Sequence, residues 1–215
     1  GWIFKTIVEV KGVKSISVVS PAGKNAEAKG ILYNNSWALL IGINRYSRQD
    51  LRLHYAVNDS RSIRKTLLRI GFPKENIIYL ENGKATGRAI REGFDRLRTM
   101  TDKNDRVIVY FSGHATTLGN PGGTGEMGYL LPVEANPNKL LSTSLSMGEL
   151  REMTDLLPAK HVLLLVDACF SGLLASKAVA RPVEVENIAR LTRGRLRQII
   201  TAGDRDQQAI EIGGH

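Results

Sequence analysis

One cysteine, Cys169, stands in 215 residues, so no disulfide forms within the chain and cysteine usage says nothing firm about redox compartment. Long apolar runs are missing as well. Stretches such as "WALLIGI" and "HVLLLV" fall far short of the ~20 residues that cross a bilayer. The opening "GWIFKTIVEVKGVK" carries charges where a secretory leader has its apolar stretch. That points to a cytoplasmic protein, with a removed leader left open because the chain starts at Gly1. Aromatic residues are only 6% of the chain and few lie near its basic segments, so platforms for stacking nucleic-acid bases are lacking.

What is present describes an ordinary globular chain. Apolar content of 42% and charged content of 24% suit a packed fold, and the length suits one domain, or one domain with an appendage. Thirty Lys and Arg against 21 Asp and Glu leave a net charge of +9. Apart from residues 61–69 and 190–197 the basic residues are interspersed with acidic ones, the pattern of solvated helix faces rather than of a nucleic-acid groove.

Two textures divide the chain. Residues 1–19 alternate loosely around Lys11-Gly12, predicting a hairpin or two short strands, and "SPAGKNAEAKG" then reads as a polar linker or exposed loop. Residues 1–30 thus form a β-rich extension, or the end of a preceding module able to recruit partners, and 31–215 a separate domain. From Trp37 onward, short apolar strands alternate with helices. Strands are predicted at 37–43, 76–80, 106–111, 161–166 and 197–203. A helix at about 56–70 turns Ile63, Leu67 and Ile70 to one face and stops at Gly71. Another is capped by Thr86 and carries Ile90, Phe94 and Leu97. A third opens on the capping box Ser146/Glu149 and carries Leu150, Met153 and Leu157. Near-continuous apolar strands predict an α/β fold: a mostly parallel central sheet with helices on both faces.

In such a sheet, ligands bind beyond the carboxyl ends of the strands. The 106–111 strand runs into "SGHA" and the 161–166 strand into "DACFSG", placing His114 and Cys169 each three residues past a strand end. If those strands are neighbours, thiol and imidazole share a cleft. A pair of that kind serves nucleophilic catalysis, the imidazole helping to form thiolate and then protonating a leaving amine. Gly113 and Gly172 on either side predict room for a substrate backbone. A lone buried cysteine is usually a small hydrophobe; the two residues together, each ending a strand, are much more specific.

These residues carry a resemblance. His114 precedes Cys169 by 55 residues, close to the ~50 of caspases. "WALLIGINRY", "AVNDS", "GF" after the first helix, "FSGH", "DACFSG" and "TAGDRDQQAIE" together resemble, in order, the metacaspase, paracaspase and bacterial caspase-like branch of that clan. The resemblance spans roughly 37–211. It implies a caspase–hemoglobinase fold, a bacterial-type protein and a cysteine endopeptidase.

Carried over position by position, the resemblance implies Cys169 as nucleophile and His114 as its partner. The oxyanion hole would use the backbone N–H groups of Cys169 and Ala115, the latter a glycine in most relatives. Asp167 stands where caspases place a pocket glutamine, and Asp59 matches a second acidic pocket residue, though it also sits where a helix N-cap is expected. Two carboxylates there suit an arginine or lysine side chain, with Asp206 as a third contributor. Many metacaspases need calcium, but 136–146 holds no carboxylate and position 176 is Ser176, so no metal or cofactor is expected. The implied large part runs to about 172, a linker covers about 173–197, and 198–215 begins the small part. Lys177, Arg181, Arg190 and Arg193 are candidate self-cleavage positions in that linker. Relatives continue past "EIGGH" into a further helix and strand, which implies a fragment or a remainder released by cleavage. The glycine-rich stretch 120–128 reads as a flexible loop beside the cleft, Ser112 and Ser171 as non-nucleophilic, and His54 and His161 as ordinary loop and strand-edge residues. The competing reading is a catalytically weak caspase-like scaffold in a signalling assembly, favoured by Ala115. Peptide turnover by wild-type and Cys169→Ala protein separates the two.

Overall fold

The computed structural model describes residues 33–119, 126–168, 170–171 and 195–202, with the backbone of two short strands nearer the amino terminus. Those strands, β1 (Ile16–Val19) and β2 (Asn25–Ala28), pair antiparallel. β2 falls in the stretch expected as a polar loop, because backbone pairing needs no apolar alternation. The first strand expected before Lys11 lies outside the described residues.

The domain opens with β3 (Ser36–Gly42), α1 (Ala56–Arg69), β4 (Ile77–Glu81), α2 (Gly87–Met100) and β5 (Arg106–Ser112). Then come β6 (Ala115–Gly119), β7 (Glu126–Leu130), α3 (Leu140–Thr143), β8 (Leu145–Ser146) and α4 (Met147–Asp155). β9 (His161–Asp167), β10 (Phe170–Ser171) and β11 (Leu196–Ala202) complete the described elements. The central sheet has the order β11-β9-β5-β3-β4, and every pairing in it is parallel.

Alternation along the strands sorts the core into two layers. Trp37, Leu39, Ile41, Val107, Val109, Val162 and Leu164 pack with Ile90, Phe94 and Leu97 of α2 and Leu150 of α4. Ala38, Leu40, Ile108, Tyr110 and Leu165 turn the other way, onto Ile63, Leu67 and Ile70 of α1 and onto Phe72. Helices therefore cover both faces. α1 ends where Gly71 N–H reaches Leu68 C=O and Phe72 N–H reaches Leu67 C=O, the paired bonds of a Schellman cap. Thr86 caps α2 by accepting from Ala89 N–H at 3.1 Å. Ser146 Oγ likewise accepts from Glu149 N–H. The expected return half of that box is absent: the Glu149 carboxylate binds Arg91 on α2 instead.

A second, smaller sheet, β10-β6-β7-β8, was not anticipated from the pattern. β6–β7 and β7–β8 are antiparallel, and β10 joins β6 in parallel. Glu126, Met127 and Gly128, expected in a flexible loop, belong to β7; residues 120–125 lie outside the described residues. These strands are too short to show a period, and their backbone pairing decides them.

Candidate active site

Strand register sets the site. Gly42 pairs with both Glu81 and Ser112, Ser112 with Asp167, and Asp167 with Ala202, so these five residues form one row at the carboxyl edge. β5 and β9 are direct neighbours. Beyond the edge, Ala115 pairs with Phe170 and Thr116 with Ser171. The offset is 55 residues in both sets of pairs, which is also the separation of His114 and Cys169 in the chain. Ser112 and Asp167 each lie two residues before that pair of positions, Ala115 and Phe170 one residue after it. Cys169 itself lies outside the described residues.

His114 is held at both its backbone and its ring. Its N–H donates to Tyr46 Oη at 2.7 Å, and the two rings lie 5.2 Å apart at 47°. His114 Nε2 stands 3.1 Å from Leu51 C=O. A carbonyl only accepts, so Nε2 carries hydrogen, and in the neutral ring Nδ1 is the nitrogen that takes up a proton. Protonation strengthens the Leu51 contact, because the donor becomes cationic.

The loop bearing these partners is braced. Asn82 Oδ1 accepts from Asn44 and Arg45 N–H, Asn44 Oδ1 from Val57 N–H, and Asn44 Nδ2 donates to His54 C=O. Ser47 N–H reaches Val133 C=O, and Leu53 N–H reaches Asn44 C=O. Tyr46 is buried, and burial pushes its phenol well above the usual tyrosine range. A Cβ at Gly113 would stand 2.6 Å from that hydroxyl. Gly113 therefore makes room for Tyr46.

Asp167 lies on the sheet face that carries α1, two residues after Leu165. Its Oδ2 accepts from Tyr110 Oη at 2.9 Å. Tyr110 is only 5% exposed, whereas Asp167 is exposed. Burial pushes the Tyr110 phenol far above its ordinary value, and the Asp167 and Asp59 carboxylates push it further. Both acids thus act on one buried phenol. Asp59 is not the helix N-cap: Tyr55 holds that position, and Asp59 lies in the first turn of α1 with its N–H on Tyr55 C=O.

Ala115 begins β6 and is buried. Leu131 N–H donates to His114 C=O, which makes Ala115–Leu130 a non-hydrogen-bonded antiparallel pair. The Ala115 N–H is therefore turned away from β7, toward the β10 side.

Comparison with known proteins fits this architecture. The caspase domain family matches residues 35–209. The chain belongs to that family, one of cysteine peptidases. It is 34% identical to metacaspase-6 of Arabidopsis thaliana over 154 residues, 66% of this chain and 39% of that protein. Metacaspase-4 of the same plant is 32% identical over 154 residues, 66% of this chain and 34% of its own length. The chain thus spans well under half the length of these curated relatives. A solved protein from Geobacter sulfurreducens shares the fold at TM-score 0.52 and 19% identity, over 64% of this chain and 52% of that one.

Within this caspase-domain chain, sequence reasoning missed Tyr46, the Leu51 carbonyl and Tyr110. Tyr46 had a usable signal, lying just past the carboxyl end of β3 where ligands gather. Tyr110 had a weaker one, sharing strand parity with Ser112. A backbone carbonyl has no residue signature at all. Gly172, Lys177, Arg181, Arg190, Arg193 and Asp206 lie outside the described residues. His54 is an exposed loop residue, and His161 starts β9 with Nδ1 2.6 Å from Tyr33 Oη. Among the described residues no helix is long and apolar enough to cross a membrane.

Proposed function

We propose that this caspase-domain chain is a cysteine endopeptidase that cleaves protein or peptide substrates after arginine or lysine, using Cys169 and His114. The observation that carries the reading is the shared 55-residue register of β5 with β9 and of β6 with β10, which brackets those two positions on adjacent segments. In the proposed reaction the Cys169 thiolate attacks the scissile carbonyl carbon and the C–S bond forms. The oxyanion is held by the N–H groups of Cys169 and Ala115. Collapse breaks the C–N bond, and His114 gives its proton to the departing amine. Water then hydrolyses the thioester and regenerates the thiol.

Asp59 and Asp167 would grip the basic side chain, with Asp206 as a further contributor. An aspartate substrate would meet like charge without a compensating cation. Self-processing in the basic linker, at Lys177, Arg181, Arg190 or Arg193, is consistent with that preference, and no metal is required.

A positional scan of fluorogenic peptides tests the reading. Wild-type protein should turn over arginine peptides best, lysine peptides next and aspartate peptides hardly at all, and Cys169→Ala protein should be inert. Asp167→Asn removes a charge-assisted contact and should lower kcat/KM for arginine about 10- to 100-fold. Asp59→Asn should act similarly, and the double variant less than additively because the two share one ligand. A wild type that prefers aspartate, or an arginine preference that survives both substitutions, overturns the acidic pocket.

A further inference from the structure

We propose that Tyr110 is a positioning residue for this pocket: it orients the Asp167 carboxylate and thereby sets the preference for arginine over lysine. This rests on the reading of Asp59 and Asp167 as the specificity pocket.

Three observations carry it. The Tyr110 ring is locked in the core among Ala38, Leu40, Leu67 and Phe72, so its hydroxyl is a donor at a fixed point. The acceptor, Asp167 Oδ2 at 2.9 Å, belongs to an exposed side chain at the last residue of β9. Among the described residues no ion pair involves Asp167, and its carboxylate accepts a hydrogen bond from the phenol. Burial and both neighbouring carboxylates keep that phenol protonated, so it donates across the whole working pH range.

The consequence follows from the two basic side chains. A guanidinium presents a planar fork of donors and depends on the orientation of the acceptor it meets. An ammonium is a point charge with rotatable donors and tolerates a swinging carboxylate. With Oδ2 tied to Tyr110, Asp167 presents Oδ1 in one orientation, and part of the ordering cost of binding arginine is met before the substrate arrives. Without the hydroxyl, Oδ2 would face an apolar ring edge and the carboxylate would turn toward water.

The test is Tyr110→Phe, assayed with matched arginine and lysine peptides after active-site titration and a thermal melt. KM for the arginine peptide should rise about 3- to 10-fold, kcat should stay within about twofold, and the lysine peptide should barely change, so the arginine-to-lysine ratio narrows. Adding Tyr110→Phe to Asp167→Asn should bring no further loss. An unchanged ratio, an equal loss on both peptides, or a further loss in the double variant overturns the proposal. Should Tyr110→Phe not fold, Asp167→Glu keeps the charge but displaces the carboxylate from the phenol at an exposed position. It should narrow the ratio as well, and an unchanged ratio there overturns the proposal. A wild type without basic preference brings down the pocket itself, and this inference with it. A basic preference that Tyr110→Phe leaves untouched brings down the role of Tyr110 alone.

Discussion

His114 is fastened by Tyr46 at its backbone and by Leu51 at its ring, which separates two kinds of substitution. Cys169→Ala and His114→Ala each remove half of the proposed pair, and each should abolish nearly all peptidase activity in protein that still melts cooperatively. Tyr46→Phe is the graded case. It leaves the His114 N–H without its acceptor beside a buried ring, at a cost of roughly 1–3 kcal/mol. Thermal unfolding should fall by several degrees, and kcat should drop as the imidazole loosens. Wild-type melting and wild-type kcat in Tyr46→Phe would show that the contact supports neither. At this scale the proposed nucleophile and base were legible as candidates in "DACFSG" and "FSGH" because reactive side chains are recognised by residue type. Their holders were not, since a tyrosine 68 residues away and a backbone carbonyl meet the histidine only in the folded chain.

The helices and main strands were legible because each buries a periodic face. α1 shows what periodicity leaves out. A Cβ at Gly42 would lie 2.2 Å from Ser60 Oγ and 2.9 Å from Ala56 C=O, so α1 sits directly on the end of β3. Ser60 is a short, buried side chain that also donates to Val57 C=O, and it has no room to retreat. Gly42→Ala should therefore lift the first turn of α1 at a cost of about 1–3 kcal/mol or more. Because Asp59 rides on that turn, KM for arginine peptides should rise beyond any loss of stability. Melting curves alongside KM check this, and an unaltered protein by both measures would mean that the helix yields freely. Register was the other hidden quantity at this scale. The apolar runs announce strands, but only pairing made β5 and β9 neighbours with Ser112 against Asp167.

Calcium dependence is a property of the molecule as a whole. The 136–146 segment has no carboxylate, and its neutral oxygens serve its own fold. Asn136 Oδ1 accepts from Asn138 N–H, and Thr143 Oγ1 meets Asn136 and Lys139 C=O. Peptide turnover and the appearance of linker-cleaved fragments should therefore stay within about twofold after chelation. A large, reversible rise in either on adding millimolar Ca²⁺ would show that a site exists elsewhere in the chain.

The sequence by itself determined the α/β class and the two-faced sheet, and it singled out Cys169 and His114 as candidates, because periodic apolar residues and reactive side chains are local facts. It also carried Asp59 and Asp167 as an acidic pair through their place in family-like motifs. The tertiary structure alone decided the strand order and the small β10-β6-β7-β8 sheet. It decided that Gly113 accommodates the Tyr46 hydroxyl, and that Glu149 serves Arg91 rather than its own helix. It also placed one buried phenol against the Asp167 carboxylate. Each of these depends on which distant segments come within hydrogen-bond reach, and that follows from how the two layers pack on the sheet, which no local pattern encodes.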